Sequence, residues 1–289
     1  IRNAMLTTNG SKSQLLTLDD LVTFCKDKCE QDIMLTVDVT PDGHGDAIRT
    51  VKSHDGMQKC MFVKPQEQEM SIIEFRNRLR LKRQRESSRR HLETDKTGKA
   101  IYPLKKPNDE NTTHIDTKGM FPESIHFAQE VFGVSPDAVN LWIGNEQAVS
   151  SMHKDHYENL FYVLSGEKVF VLCPPADAPF LYQAEFDSGT FQQQMSGEWI
   201  VKENDGDSQV KWIQVHVEPL VDNKDAVPTN QPTFSLTHPI RVHVKAGEML
   251  YLPALWFHQV AQTCETVGIN YWYDMQFDSP NLCYLLQPS

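Results

Sequence analysis

The amino-acid sequence predicts a mainly β protein, in which a sandwich or barrel of short antiparallel strands follows a region of mixed helix and loop. Apolar residues recur at helical spacing before Gly133 and at every second position after it. Short turns containing glycine separate the later apolar segments, which is typical of a sandwich or barrel. An apolar content of 39% in 289 residues allows a sizeable core.

Two helices are predicted in the first part of the chain from their N-terminal signatures. Residues 17–29 have apolar side chains at helical spacing, and Thr17 with Asp20 forms a capping box. In this motif each of the two residues satisfies a backbone N–H of the other. Ser71 and Glu74 repeat the signature and predict a second helix.

A third helix is predicted from Pro122 to Gly133, because proline is favoured in the first turn of a helix and glycine just after the last. Between the second and third helices, basic residues are concentrated from Arg76 to Arg90. We interpret this basic stretch as the solvated end of a helix or a surface insertion.

The segments after Gly133 have the period of two that is typical of strands. The turn Ser165-Gly166-Glu167 lies between two of them and predicts a hairpin. The predicted strands cover residues 139–143, 160–164, 168–172, 240–244, 249–260 and 267–273.

A long segment, 176–238, separates the two groups of strands. It contains a weaker predicted hairpin, with strands at 199–203 and 209–217 around Asp205-Gly206. Insertions of this length between core strands usually carry function or cover a site. We expect residues 1–289 to form one domain.

The net charge of −11 argues against general nucleic-acid binding, which requires a dominant basic surface. An acidic protein instead attracts cationic partners. The longest apolar runs are shorter than the roughly 18 residues that span a bilayer, and no signal-peptide pattern opens the sequence. Six scattered cysteines fit a reducing compartment, and Cys25 with Cys29 lacks the second pair of a zinc site. We expect an intracellular protein, cytoplasmic or also nuclear.

The residues with the clearest chemistry are His153, Asp155 and His258. Two positions apart on a strand, His153 and Asp155 project from the same face, and His258 lies on a later strand that could close onto the first. Two histidines and one carboxylate leave three coordination positions open, as non-haem iron(II) oxygenases require. Lys168 begins the strand after the predicted hairpin, and a buried lysine needs an anionic partner such as a dicarboxylate cosubstrate.

Other residues near this group have simpler interpretations. His156 and His126 are not interpreted as additional ligands. His156 lies on the opposite face by strand parity, which favours a role at the surface or behind the ligands. Trp272 shares strand parity with Asn270 and could line the same site.

Two sequence runs resemble the jumonji-C (JmjC) oxygenase family. They are "DAVNLWIGNEQAVSSMHKDHYENLFYVLSGEKVFVLCPP" at 137–175 and "RVHVKAGEMLYLPALWFHQVAQTCETVGINYWYD" at 241–274. Residues 35–47 resemble the family more loosely. The resemblance implies a double-stranded β-helix, the jelly-roll or cupin-like fold, at 137–275, with flanking α-helices and strands at 1–136. It also implies that a segment N-terminal to "IRNAM" in relatives is missing here.

The resemblance implies a role for each candidate site residue, with Fe(II), 2-oxoglutarate and O2 as the cofactor and cosubstrates. His153, Asp155 and His258 would be the iron ligands. Lys168 would bind the distal carboxylate of 2-oxoglutarate. The residues expected to assist at the cosubstrate pocket are Ser150, Tyr102, Asn159 and Asn270.

Within the family, the resemblance is to the small lysyl hydroxylase branch. It implies hydroxylation of a lysine side-chain carbon in a protein, with GTP-binding proteins of the developmentally regulated type as the suggested substrates, and with release of succinate and CO2. A histone-tail N-methyl-lysine demethylase, a histone-tail endopeptidase and a non-catalytic interaction barrel are the alternatives. No nucleic-acid or membrane partner is expected, and a homodimer is left open.

Overall fold

The structure is a computed structural model that describes residues 7–8, 11–12, 16–28, 34–52, 57–89, 100–102, 121–204, 209–215 and 230–276. Among the described helices, none combines the length and the apolar character needed to cross a bilayer.

The part of the chain before the core contains eight strands and three helices within the described ranges. They are β1 (Thr7–Thr8), β2 (Ser11–Lys12), α1 (Leu18–Lys28), β3 (Met34–Thr40), β4 (His44–Gly45), β5 (Ala47–Lys52), β6 (Gln58–Lys64), β7 (Gln66–Ser71), α2 (Ile72–Arg89), β8 (Ala100–Tyr102) and α3 (His126–Phe132).

The core and its insertion contribute the remaining described strands. They are β9 (Ala138–Gly144), β10 (Val149–Lys154), β11 (Tyr157–Ser165), β12 (Glu167–Cys173), β13 (Gln183–Phe186), β14 (Ser188–Gln193), β15 (Trp199–Glu203), β16 (Val210–Ile213), β17 (Ile240–Lys245), β18 (Met249–Leu252), β19 (Phe257–Gln262) and β20 (Thr266–Asp274). Short 3₁₀ helices lie at Pro175–Phe180 and Pro232–Leu236, the two ends of the insertion.

Two sheets face each other in the core. One has the strand order β17-β12-β19-β10-β4 and the other the order β18-β11-β20-β9. From β9 to β12, and again from β17 to β20, each strand lies in the opposite sheet from the one before it. This alternation is that of a double-stranded β-helix, so the predicted fold class is confirmed.

The hairpin predicted around Ser165-Gly166-Glu167 is wrong in its pairing. β11 pairs with β18 and β20, whereas β12 pairs with β17 and β19. The turn therefore carries the chain from one sheet to the other. Both strands are buried on both faces, so their apolar pattern identifies strands without indicating which strand pairs with which.

The second predicted hairpin, within the insertion, is also wrong in its pairing. β15 pairs with β14, and β16 pairs with β13, while residues 205–208 lie outside the described residues. β14 also pairs in parallel with β6, which joins the insertion to a sheet of the flanking region. The alternating apolar pattern and the turn residues could not predict the pairing of β14 with β6, because β6 is distant in sequence.

The third helix begins at His126, four residues later than predicted, and ends as predicted before Gly133. The preceding segment is not helical, and two hydrogen bonds tie it to the last core strand. The Tyr271 hydroxyl donates to the Pro122 carbonyl at 2.9 Å, and the Ile125 N–H donates to the Tyr273 hydroxyl at 3.4 Å. These contacts with β20 override the local preference of proline for the first helical turn.

The capping signatures of α1 and α2 are confirmed. Thr17 and Asp20 bond reciprocally, and the Glu74 N–H donates to Ser71 Oγ. The basic stretch is not simply solvated where its side chains are described, because the Arg80 guanidinium binds Glu265 through two hydrogen bonds and also contacts Asp19. Side chains from 81 to 89, and the whole of Arg90, lie outside the described residues.

We expect Gly166→Ala to lower the free energy of unfolding well beyond the effect of Gly133→Ala. Both glycines have positive φ, at 79° and 73°, so each substitution brings a backbone strain of about 1 kcal/mol. A Cβ on Gly166 would also meet the backbone oxygen of Glu265 at 2.6 Å, whereas one on Gly133 would have no atom within 4 Å. Crowding of this kind adds roughly 1–3 kcal/mol.

Urea unfolding of the two variants checks this prediction, with Gly133→Ala as the matched control for backbone strain. Equal losses of stability in the two variants would contradict the close approach of the two sheets at Gly166.

Candidate metal centre

His153, Asp155 and His258 lie together at one end of the barrel. β10 and β19 are antiparallel neighbours in which His153 directly faces His258, and Asp155 follows the end of β10. One candidate ligand atom from each residue lies within 4.8 Å of the other two. Asp155 Oδ2 is 3.5 Å from His258 Nε2 and 4.0 Å from His153 Nε2.

The hydrogen bonds of the two histidines prepare them to bind a metal. His153 Nδ1 lies 2.7 Å from the Ser151 carbonyl oxygen, and His258 Nδ1 lies 3.0 Å from that of Trp256. A carbonyl only accepts, so each Nδ1 carries the proton and each Nε2 keeps its lone pair. Both lone pairs are on the side of Asp155.

Burial of His258, with a smaller contribution from the charge of His153, lowers the pKa of His258. Its ring is therefore neutral at physiological pH, the form that binds metals. Ligands about 2.1 Å from an ion and at right angles to each other are roughly 3 Å apart, so the three residues fit one ion after a small closure. The donor set of two nitrogens and one carboxylate suits iron(II) with open positions.

Lys168 projects into the barrel from β12. It is 8% exposed, and its ammonium lies over the Phe161 ring, 5.9 Å from the centroid. Burial lowers the pKa of Lys168 to about 7. Within the described ranges no carboxylate pairs with it, so an anion entering the barrel would supply the partner that a buried ammonium requires.

Asn159 and Asn270 are buried in the barrel and bonded to each other. The Asn270 amide donates to Asn159 Oδ1 at 3.1 Å, while Asn270 Oδ1 accepts from the Asn140 amide and, at 2.8 Å, from the Trp142 indole. This network spans β9, β20 and β11. Asn270 thus holds three strands together, whereas the Asn159 amide N–H groups have no partner in the described part of the chain and could donate to a ligand. Their direct roles at the cosubstrate stay predictions.

The two predicted hydroxyl groups are placed less directly. Ser150 is half-buried on β10, opposite Val260, just before an irregularity in the pairing of β10 with β19. The backbone of Tyr102 pairs with Asp38, and its side chain lies outside the described residues. The roles of Ser150 and Tyr102 therefore also remain predictions.

Sequence reasoning missed Trp212, a residue of the insertion that packs on the metal centre. Its ring is parallel to that of His153, with centroids 5.9 Å apart, and its indole N–H donates to Ser151 Oγ at 3.0 Å. Phe62 of β6 also packs against Trp212, with ring centroids 4.6 Å apart. The insertion and the flanking region thus meet over His153, a contact that no local spacing in the sequence could indicate.

An aromatic pair lies at the mouth of the barrel. Tyr157 and Trp272 stack with ring centroids 5.1 Å apart and an interplanar angle of 7°. The Tyr157 hydroxyl donates to Asp137 at 3.2 Å. Burial raises the pKa of Tyr157, and the hydrogen bond to Asp137 and the charges of Asp137, Asp274 and Asp155 raise it further. This end of the barrel is therefore both aromatic and acidic.

The two histidines that were not interpreted as ligands lie outside the metal centre. His156 and His126 are both exposed, and neither belongs to the group of candidate ligands.

Comparison with known proteins gives the same assignment as the geometry. The family described as the cupin-like domain matches residues 1–279. The JmjC domain-containing protein E of Dictyostelium discoideum is 35% identical over 263 residues, which cover 86% of this chain and 71% of that protein.

Two further relatives match shorter segments. The human bifunctional peptidase and (3S)-lysyl hydroxylase JMJD7 is 43% identical over 154 residues, 53% of this chain and 47% of that protein. The lysine-specific demethylase JMJ32 of Arabidopsis thaliana is 41% identical over 188 residues, 63% of this chain and 54% of that protein. The chain thus spans about half the length of these two relatives. Fold, converging ligands and relatives agree that this chain belongs to the cupin-like JmjC family of iron- and 2-oxoglutarate-dependent oxygenases.

Proposed function

We propose that this protein is an iron(II)- and 2-oxoglutarate-dependent hydroxylase that acts on a lysine side-chain carbon of another protein. The observation that carries the proposal is the convergence of His153, Asp155 and His258 at the end of a barrel. This barrel also contains the buried Lys168, which has no carboxylate partner among the described residues. In the reaction, substrate, 2-oxoglutarate and O2 give hydroxylated substrate, succinate and CO2. One oxygen atom of O2 enters the substrate and the other enters succinate.

Each residue has a defined part in this proposal. His153, Asp155 and His258 would hold iron(II), which when bound supplies the activation of O2. Lys168 would hold the distal carboxylate of 2-oxoglutarate. The backbone carbonyls of Ser151 and Trp256 fix the histidine tautomers.

Four further residues are proposed at the cosubstrate. Ser150 and Tyr102 would contact the same carboxylate as Lys168, and Asn159 would donate an amide N–H. Asn270 would act mainly through Asn159. We place the catalytic core at 137–275 within one domain, and we propose an intracellular location and a protein partner, with GTP-binding proteins of the developmentally regulated type as the first to test.

The names of the relatives support a lysine substrate but differ in the reaction on it. The human relative is named a peptidase and lysyl hydroxylase and the Arabidopsis relative a lysine-specific demethylase. Hydroxylation and demethylation differ in which C–H bond the site holds nearest the iron, and a displacement of about 1 Å can change a rate on the order of a hundredfold. A non-catalytic barrel would not need to retain three converging ligands.

The experiment that tests the proposal offers the iron-loaded protein unmodified and methylated lysine peptides together with a fragment of a candidate GTP-binding protein. Mass spectrometry follows oxygen added to lysine, and a separate assay follows formaldehyde. We expect oxygen on unmodified lysine and no formaldehyde. Formaldehyde formed in step with succinate, with no oxygen on unmodified lysine, would instead assign a demethylase, and cleaved peptides would assign a peptidase.

A further inference from the structure

The mouth of the barrel presents four side chains that the reaction itself does not explain. Tyr157 and Asp274 are directly opposed on β11 and β20, so their side chains lie on the same face of the sheet. Trp272, two residues before Asp274, shares that face and stacks on Tyr157. Asp137 accepts the Tyr157 hydroxyl and lies where the chain enters β9.

These side chains concentrate negative charge without a cation to balance it. Asp137 and Asp274 are exposed, and within the described part of the chain neither forms an ion pair with a lysine, arginine or histidine. Asp155 adds a third carboxylate two residues before Tyr157. The charges of all three carboxylates act on the Tyr157 hydroxyl, so the three groups lie near it and together attract a cation.

The aromatic pair is an independent indication of the same ligand. The faces of tyrosine and tryptophan attract cations through their electron-rich rings. The Trp272 indole N–H is also buried without a hydrogen-bond partner among the described residues, so the ring is held by stacking and not by a polar contact of its own.

We propose that Tyr157, Trp272, Asp137 and Asp274 form a subsite that binds the cationic head of the substrate side chain. This inference rests on the proposed function, which places the reacting carbon beside Asp155. The charge of Asp155 acts on the Tyr157 hydroxyl, so the two side chains lie close to each other. A lysine side chain extends about 6 Å from Cβ to Nζ, so a carbon near the metal and an ammonium near Tyr157 are compatible.

The subsite selects for charge and for hydrogen-bond donors. An unmodified lysine has both and can donate to the two carboxylates while it contacts the aromatic faces. Acetyl-lysine has lost the charge, and norleucine has the same carbon chain with no ammonium. The subsite therefore selects a cationic side chain that keeps its N–H donors, as an unacetylated lysine does.

The test measures binding to the protein loaded with iron(II) and 2-oxoglutarate in the absence of O2, so that no turnover occurs. The probes are lysine and norleucine with acetylated backbone amines and amidated carboxyls, titrated by ligand-detected NMR. We expect the lysine probe to bind more tightly. Asp274→Asn should weaken the lysine probe roughly two- to fivefold, and it should leave norleucine unchanged.

Glu146→Gln is the matched control, because it removes the same charge from an exposed turn at the opposite end of β9. It should change neither probe, which separates the subsite from the overall attraction of an acidic protein. Trp272→Leu should weaken the lysine probe as well. Equal binding of both probes to the wild-type protein, or equal weakening of lysine by Glu146→Gln and Asp274→Asn, would overturn the subsite.

Failure of the subsite and failure of the proposed function can be told apart. A wild-type protein that forms succinate but binds both probes equally contradicts only the subsite. A wild-type protein that discriminates between the probes but forms no succinate supports the subsite and contradicts the proposed function.

Discussion

Replacing His153 or Asp155 with alanine is expected to abolish turnover and to lower iron affinity by more than about a hundredfold. Each variant removes one of only three protein ligands, and even residues that merely orient ligands contribute ten- to a hundredfold in affinity. Iron content after gel filtration and succinate formation are the two measurements. Because His153 and Asp155 are each about a quarter exposed, the fold should tolerate either truncation.

His156→Ala is the matched control for this prediction. His156 follows Asp155 directly but is exposed and outside the group of candidate ligands. Its replacement should leave iron content at the wild-type level. Iron retained equally by His153→Ala and His156→Ala would show that the metal, if bound, is held elsewhere.

Replacing Lys168 with alanine is expected to weaken 2-oxoglutarate about ten- to a hundredfold while iron remains bound. A hydrogen bond to a charged group contributes roughly 1.5–3 kcal/mol. Calorimetric titration of the iron-loaded protein without O2 measures the effect. Lys154→Ala is the control, because Lys154 is also half-buried but contacts the ring of Phe257, 5.6 Å from its centroid, outside the barrel. An unchanged affinity in Lys168→Ala would exclude the proposed role.

The pH dependence of this binding has a definite sign. Burial holds the pKa of Lys168 at about 7 before the cosubstrate enters, so the lysine is charged below that pH and largely neutral above it. The anionic cosubstrate prefers the charged form, so its affinity should fall as the pH rises from 7 to about 9. Lys168→Arg should flatten this dependence, because a guanidinium stays protonated throughout.

The sequence predicted more of the candidate site than of the strand pairing. The spacing of His153 and Asp155 follows from strand geometry alone, and the structure places His258 opposite them as expected. By contrast, the turn at Gly166 has the composition of a hairpin, and only the packing of two sheets decides that the chain crosses between them. Turn residues encode a change of direction and not the identity of the next partner.

The residues that sequence reasoning missed are those whose contacts depend on long-range assembly. Trp212 of β16 is held beside His153 by its hydrogen bond to Ser151 of β10 and by its packing on Phe62 of β6, and nothing near Trp212 in the sequence indicates these partners. Tyr157 lies next to the predicted ligands, and its strand parity could have placed it in the barrel. Its significance depends on Trp272 and Asp274, which only the register of β11 and β20 brings to it.

The most direct test of the central claim is succinate formation by the purified protein, with iron(II) and 2-oxoglutarate each supplied or omitted. We expect succinate only when both are present with O2, an increase when cell extract supplies substrate, and a loss of nearly all activity in His258→Ala. Succinate formation that persists in His258→Ala, or its absence from the fully supplied wild-type protein, would contradict the assignment of this site to 2-oxoglutarate-dependent oxidation.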